Sequence, residues 1–319
     1  MPELTPMMQQ YQQMKAQKPD CILFFRLGDF YEMFDEDAKL VSKELDLTLT
    51  TRDRGKAEAD RTPMCGVPYH SSESYIARLV ARGYKIAICE QMEDPALAKG
   101  LVKRDITRVI TPGTRLEASM LDEGRNNYFA CVYAAGGLWG LAFCDISTGA
   151  FTALEASGEE AAVRVRNELG GFTPSEVLLG GEARVDLALR AFLADRLNPC
   201  VDEGEDGLFD PETCRAALER QFGAPPEQLG IGGAPAAQRA AGALLQTLIA
   251  GQKTDLSHIR KLEFDLAGRY MELDLTARRN LELLETLRAG EKRGSLLWVL
   301  DQTKTALGSR CLRAWLERP

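Results

Sequence analysis

The segment CILFFRLGDFYEMFDEDAKL, residues 21–40, determines the local fold of the first part of the chain. Its opening, 21–26, is apolar and rich in residues that favour strands, and the Gly-Asp pair after it is typical of a tight turn. A second short strand is expected over 30–34. Asp35 then begins a helix with acidic residues in its first turn, where they complement the helix dipole. The segment therefore predicts a β-hairpin that leads directly into a helix.

One carboxylate, Glu32, lies among the aromatic and apolar side chains of the second strand. Side chains alternate between the two faces of a strand, so Phe30 and Glu32 share one face and Tyr31 and Met33 the other. If Tyr31 and Met33 pack inward, Phe30 and Glu32 point outward beside the turn. An apolar wedge next to a hydrogen-bonding group suits a protein that kinks DNA from the minor groove. From the residues alone, a half-buried hairpin without a ligand remains the simpler interpretation.

Elements on either side of this hairpin complete one α/β domain of about 110 residues. Thr5 and Pro6 predict a helix that runs to about Gln17, because a threonine cap followed by proline is typical of a helix start. Residues 61–74 are expected to form a long loop stiffened by two prolines. Further strands are expected over 47–52, 84–91 and 106–113, and a helix over 72–82 that ends at Gly83.

A polar linker over 111–127 separates this domain from a second α/β domain. Three strands over 128–134, 138–146 and 150–156 predict an antiparallel meander, to which some parallel strands are added. Helices are expected over 158–169, 182–196, 210–222 and 236–252, and a strand over 175–180. From about residue 255 the pattern is helical, with periodic segments over 273–288 and 295–319. The last segment carries an apolar face (Leu307, Cys311, Leu312, Trp315 and Leu316), so the natural chain is expected to continue.

The composition is that of an ordinary soluble protein, with 45% apolar and 27% charged residues. The net charge of −8 argues mildly against a nucleic-acid partner. No apolar run is long enough to span a bilayer, and MPELTPMMQQ predicts no signal peptide. Eight scattered cysteines and two histidines argue against a zinc site or a disulfide scaffold, and predict reduced thiols in a cytoplasmic protein. Basic residues cluster locally (Arg52, Arg54, Lys56 and Arg61; Lys99, Lys103, Arg104 and Arg108), as solvated surfaces commonly do.

Motifs for catalysis are weak. The chain has no GxxxxGK[ST] loop, and GIGGA at 230–234 is typical of a flexible turn. Asp145, with Glu176 and Asp186 as partners, is a candidate for a metal-dependent nuclease site. The alternative, which the turn-forming sequence after Asp145 favours, is that its carboxylate binds nearby backbone.

Several blocks resemble the bacterial MutS family of DNA mismatch repair proteins. They are PDCILFFRLGDFYEMFDEDA, PMCGVPYHSSESYIARLVARGYKIAICEQ, TRVITPGT, DISTGAF, LDLTARRNLEL and SLLWVLDQTKTALGSRCLRAWLERP, in family order. The resemblance implies an α/β multidomain protein with four segments: a mixed α/β mismatch-recognition domain (1–113), a linker (114–126), a ribonuclease H-like connector domain (127–252) and the start of a helical lever/core domain (253–319).

The resemblance also implies roles for individual residues. The family's G-x-F-Y-E motif matches Gly28, Phe30, Tyr31 and Glu32. By that match Phe30 stacks on a mispaired or unpaired base, and Glu32 hydrogen-bonds the same base, either as a carboxylate that accepts from a base N–H or as a protonated acid that donates to a ring nitrogen. Arg52 and His70 match family positions near the DNA backbone.

The expected partners are double-stranded DNA with mismatches or small insertion/deletion loops, and MutL through the connector domain. Self-association is expected of the full-length protein, and no membrane is involved. The family's ATPase, with its ATP and Mg, lies C-terminal to the matched blocks, so neither a cofactor nor an enzymatic activity is expected of this segment. A metal-dependent nuclease and a pure protein–protein connector module are the alternative functions.

Overall fold

A computed structural model describes residues 5–51, 61–94, 100–116, 120–121, 124–253, 256–264, 271 and 273–319 of the chain. The chain divides into two compact units. The first comprises Met1–Pro112 with Gly251–Thr254, and the second comprises Gly113–Ala250 with Asp255–Pro319. Among the described residues, no helix is both long and apolar enough to cross a membrane.

The described part of the first unit is built on one mixed sheet. In chain order, its elements are α1 (Pro6–Gln17), β1 (Ile22–Leu27), β2 (Phe30–Phe34), α2 (Asp35–Leu45), β3 (Thr50–Thr51), β4 (Pro63–Pro68), a 3-10 helix (Tyr69–Ser71), α3 (Ser72–Ala81), β5 (Ile86–Gln91) and β6 (Arg104–Ile110). The strand order is β3-β4-β2-β1-β5-β6. β1 pairs with β5 in parallel, and the other neighbours are antiparallel.

Helices cover both faces of this sheet. On one face, the Tyr11 ring of α1 packs edge-on against Phe25 and Phe34, with ring centres 5.4 and 4.9 Å apart. On the other face, the Cys65 thiol of β4 donates to the carbonyl of Ala38 in α2. α1 begins as expected, because the Thr5 hydroxyl accepts from the Met8 N–H at 3.4 Å. The two strands of the hairpin are thus held between packed layers.

The loop expected over 61–74 was wrong. Pro63–Pro68 forms β4, which pairs with β2 along its length and with the short strand β3. Proline cannot donate to a ladder, but here the two prolines occupy only the first and last positions of the strand. The strand expected over 47–52 begins later, because residues 47–49 are not in a strand and β3 comprises Thr50–Thr51; residue 52 lies outside the described residues.

The second unit contains a second mixed sheet. Its elements are β7 (Phe129–Ala135), β8 (Leu138–Asp145), β9 (Ala150–Ser157), α4 (Ala161–Phe172), β10 (Glu176–Gly181), α5 (Leu187–Phe192), β11 (Cys200–Glu203), α6 (Pro211–Phe222), α7 (Pro235–Gln252, up to Ala250 in this unit), β12 (Glu263–Phe264), α8 (Leu275–Asn280), α9 (Leu296–Leu300) and α10 (Ala306–Glu317). The strand order is β11-β10-β7-β8-β9-β12. β7, β8 and β9 form the expected antiparallel meander, and β10, β11 and β12 join in parallel.

Three helical expectations in this unit were wrong in extent. The segment expected to be helical over 295–319 forms two helices, α9 and α10, and residues 301–305 between them are not helical. The helix expected over 182–196 is divided into a 3-10 turn, α5 and a π-helical turn, and β11 follows it. The helix expected over 273–288 ends at Asn280, and Glu282 has a φ of +48°, which no α-helix contains. A periodic apolar stripe forms a stable helix only where packing covers it, and Leu281 and Leu287 are exposed.

Candidate functional site

The hairpin formed by β1 and β2 presents one large aromatic side chain to solvent. Gly28, with a φ of +57°, allows the tight turn, and Phe30 pairs with Leu27 directly after it. The Phe30 side chain is 46% exposed, whereas Tyr31 and Met33 are buried. The predicted alternation of faces along β2 is therefore present in the structure. Phe34, on the Phe30 face, is buried because α1 covers that end of the strand.

Glu32 lies on the same face as Phe30 and is half-buried. In the sheet register its neighbour on β1 is Phe25, and its neighbour on β4 is Gly66. Glu32 thus has an aromatic ring on one side and a bare backbone on the other. The structure brings Phe30 and Glu32 together, two positions apart on one strand. Sequence reasoning missed Gly66, because the strand that carries it was expected to be a loop.

Arg26 and Tyr69 hold the turn that precedes Phe30. The Arg26 Nε donates to the carbonyl of Gly28, and the Tyr69 N–H donates to the carbonyl of Asp29 at 2.8 Å. The Arg26 guanidinium also stacks on the Tyr69 ring, with 3.5 Å between its carbon and the ring centre. These contacts bind both residues of the turn to β1 and to the segment after β4. Sequence reasoning also missed these two residues, because the pairing depends on the register of β2 with β4.

Tyr31 and Glu90 contact Arg26 on the side of the sheet that packs inward. The Tyr31 hydroxyl donates to the Glu90 carboxylate, and the Arg26 Nη1 forms an ion pair with the other Glu90 oxygen at 3.6 Å. Burial, reinforced by the neighbouring Glu90, raises the pKa of Tyr31, so the hydroxyl keeps its proton and remains a donor. The charge of Arg26 is thus compensated on the inner face, and its guanidinium plane remains free to stack on Tyr69.

The structure describes one of the two residues, His70 and Arg52, that are expected to contact the DNA backbone. His70 lies in the exposed 3-10 helix after β4, two residues beyond Pro68, which pairs with Phe30. It is therefore near the same end of the sheet as Phe30. Arg52 lies outside the described residues.

The expectation that the second basic cluster is entirely solvated was wrong for Arg104. This residue is 6% exposed, and its guanidinium donates to Arg26 O at 2.8 Å, Gln10 Oε1 at 2.9 Å and Val102 O at 3.0 Å. It also packs on the Phe25 ring. A buried arginine needs such partners because an unpaired buried charge is strongly unfavourable. Arg104 therefore stabilises the end of β1 from inside.

The candidate nuclease carboxylates of the second unit each bind backbone. Asp145 is fully buried and accepts from Ser147 N at 2.9 Å, Ser147 Oγ at 2.7 Å and Asn127 N at 3.3 Å. Glu176 accepts from Gly113 N, and Asp186 caps α5 by accepting from Leu189 N. In the described ranges, no three histidine, cysteine or acidic residues are arranged to hold a metal ion. The geometry therefore favours the turn interpretation of Asp145.

Comparison with known proteins identifies the family. Residues 5–119 match the model of MutS domain I, residues 127–260 that of MutS domain II, and residues 276–319 that of MutS domain III. The chain is 49% identical to the DNA mismatch repair protein MutS of Ruminiclostridium cellulolyticum over 316 residues, which cover 99% of this chain. The chain belongs to the MutS family.

Other MutS relatives agree. The DNA mismatch repair protein MutS of Desulforamulus reducens is 48% identical over 99% of this chain. The DNA mismatch repair protein MutS of Syntrophomonas wolfei is 45% identical over 100% of this chain. The chain spans about a third of the length of these curated relatives, 36% and 37% respectively. Phe30, Glu32, Gly66 and Tyr69 all lie in the part that matches MutS domain I.

Proposed function

We propose that the chain recognises mispaired or unpaired bases in double-stranded DNA, with Phe30 as the wedge that kinks the duplex. The observation that carries this proposal is the exposure of Phe30 beside Glu32 on a hairpin held by Arg26 and Tyr69. An exposed ring on a rigid support can enter a base step without first being ordered, which lowers the cost of insertion. Membership of the MutS family supports the same function.

The physical basis of recognition is deformability. A matched step resists kinking because stacking and pairing must both yield, whereas a mismatch has already lost part of that stability. A wedge therefore opens a mismatch at lower cost, largely independently of the surrounding sequence. Stacking of one base on an aromatic ring contributes about 1–3 kcal/mol at either kind of site, so the discrimination comes from the difference in the cost of opening the step.

Glu32 would then contact the base that Phe30 displaces. A carboxylate near a polyanion is unfavourable unless it accepts from a base N–H, or takes up a proton and donates to a ring nitrogen. The same repulsion discourages binding to intact duplex, where no base has been displaced to satisfy the acid. His70 and Arg52 would contribute backbone contacts, which position the protein but do not read the sequence.

The decisive experiment compares matched and mismatched duplexes in the full-length protein. Phe30→Ala should remove the preference for mismatched DNA and leave weak, salt-dependent backbone binding. Leu101→Ala is the matched control, because Leu101 is equally exposed, at 46%, in the same unit. An unchanged preference in Phe30→Ala would eliminate the wedge assignment.

The remaining segments would serve the same process. The unit built on β7–β11 would be a ribonuclease H-like connector without nuclease activity, followed by the start of the lever/core helices. MutL would bind this unit, and self-association, ATP and Mg would involve parts of the full-length protein beyond these residues. The protein would act in the bacterial cytoplasm.

A surface of the second unit supports the MutL proposal. Val185 and Leu187, just before and at the start of α5, are 75% and 82% exposed. Contiguous exposed apolar patches mark interaction sites, and these two side chains, two residues apart, would be the centre of such a patch. Leu187→Arg in the full-length protein should weaken MutL binding and leave mismatch affinity unchanged. Equal MutL binding by the variant would remove this surface from the proposal.

A further inference from the structure

Gly66 lies beside Phe30 and Glu32, the two residues proposed to contact the displaced base, and leaves that position without a side chain. It lies in the interior of β4, directly opposite Glu32 in the register with β2. Its backbone is half-buried, whereas Cys65 and Val67 on either side of it are buried on the opposite face. Glycine in a strand interior loses side-chain packing and backbone entropy, so its presence needs a reason.

The backbone conformation of Gly66 gives no such reason. Gly66 is not among the residues with a positive φ, so an L-residue can adopt its conformation. The pairing of β2 with β4 runs without a register shift from Phe30 opposite Pro68 to Phe34 opposite Met64, so no bulge is present. Of the usual reasons for a glycine within a strand, close approach of another group remains.

The space beside Gly66 is bordered by β2. A Cβ on Gly66 would lie 3.2 Å from Tyr31 O, 3.5 Å from Glu32 Cγ and 3.8 Å from Phe30 Cδ1. The first distance requires a shift of a few tenths of an ångström, and the other two are ordinary contacts. A methyl group therefore fits only if the Tyr31 carbonyl moves by a few tenths of an ångström. The branches of a larger side chain would extend across the face that Phe30 and Glu32 share.

We propose that Gly66 is a specificity-determining position, which leaves a notch for the displaced nucleotide between Phe30 and Glu32. This inference rests on the proposed function of these two residues. The bare backbone lets a base move beside the Phe30 ring and come within hydrogen-bonding reach of the Glu32 carboxyl. A side chain at this position fills the notch, blocks that movement and restricts the Phe30 ring.

The prediction is a graded loss of discrimination that a change in stability does not account for. In the full-length protein, Gly66→Ala should lower the ratio of mismatched to matched DNA affinity by a few-fold, and Gly66→Val by about tenfold or more, the size of one lost base contact. Affinity for matched duplex should stay the same, because backbone contacts are untouched. The thermal midpoint should change little, because the strand preference of valine offsets the shift of the Tyr31 carbonyl, and the loss of preference should exceed what any change in midpoint explains.

Two companion variants separate the possible failures. Gly233→Ala is the matched control, because an added Cβ there meets no atom within 4 Å and its φ is also not positive; it should leave the preference unchanged. Phe30→Ala, measured in the same series, tests the proposed function itself. If Phe30→Ala keeps the mismatch preference, the proposed function fails and the role of Gly66 fails with it.

Two results would overturn the inference alone. One is a lost preference in Phe30→Ala together with a full preference in Gly66→Val. The other is a preference that falls only in step with the thermal midpoint through Gly66→Ala and Gly66→Val. That second result would assign the glycine to packing against the Tyr31 carbonyl.

Discussion

The Arg26 guanidinium carbon lies 3.5 Å from the centre of the Tyr69 ring. This stack joins the end of β1 to the segment after β4, and the turn that precedes Phe30 is hydrogen-bonded to both residues. Under the proposed function, insertion of Phe30 into DNA would transmit force to this support, and a support that yields would reduce the strain that Phe30 could impose on the duplex. The stack is therefore a positioning element for Phe30.

Removing the Tyr69 ring tests this role. Tyr69→Leu should lower the preference for mismatched DNA by about two- to fivefold, because a cation–π contact of this exposure contributes about 0.5–1 kcal/mol. Tyr69→Phe keeps the ring and should retain the wild-type preference. The measurement is the ratio of dissociation constants for mismatched and matched duplexes. Equal preferences in the two variants would remove Tyr69 from the support of the wedge.

Removing the Glu32 charge should mainly change the affinity for matched DNA. Glu32→Gln and Glu32→Ala are expected to tighten binding to matched duplex, because the repulsion between the carboxylate and the phosphates disappears. Discrimination then falls through the stronger matched complex. Titration at two salt concentrations separates this effect from a change in backbone contacts. Weaker binding of matched duplex by both variants would show that repulsion is not the role of Glu32.

Asp145 is expected to matter for stability and not for hydrolysis. Asp145→Ala leaves the buried N–H of Asn127 and the partly buried donors of Ser147 without their acceptor, at a cost of about 1–3 kcal/mol. The thermal midpoint should fall by about 2–4 °C for each kcal/mol. Neither the wild type nor the variant should cleave DNA with Mg²⁺ or Mn²⁺. Metal-dependent cleavage that Asp145→Ala abolishes would restore the nuclease hypothesis.

Three buried thiols of the first unit predict lower stability at alkaline pH. Burial raises the pKa of Cys21, Cys65 and Cys89 from the usual 9.0 to about 12. Between these values the unfolded chain loses protons that the folded unit keeps, so rising pH favours unfolding. The thermal midpoint should fall from about pH 9 towards pH 12. A variant with alanine at all three positions should show a shallower fall, and an equally steep one would contradict this account.

Local signals were sufficient to predict the β1–β2 hairpin and the helices α1 and α2 on either side of it. The cap at Thr5, the turn at Gly28 and the alternation along 30–34 act over a few residues, and each is present in the structure. The outward direction of Phe30 follows from the same period. These features could be predicted because the sequence near each residue determines its conformation.

Features that depend on distant partners could not be predicted. β4 is a strand because β2 and β3 pair with it, and its terminal prolines indicated a loop. Gly66 gains its meaning only from that register, opposite Glu32. Arg104 was expected on the surface because its neighbours in sequence are charged, yet its acceptors on Gln10 and Arg26 come from far along the chain. The helix predicted over 273–288 was wrong because a distant partner is missing: its periodic side chains Leu281 and Leu287 are exposed and not packed.

Photo-crosslinking from position 30 tests the central claim most directly. Phe30 is replaced by the photoreactive analogue p-azidophenylalanine in the full-length protein, which is then irradiated on a duplex with one mismatch. The same analogue at Leu187, an exposed apolar position of the second unit, serves as the control. We predict a crosslink from position 30 that maps to the mispaired base or its immediate neighbour, and that is lost on matched duplex. Crosslinks of equal yield on both duplexes, or spread along the DNA, would contradict the assignment of Phe30 as the wedge.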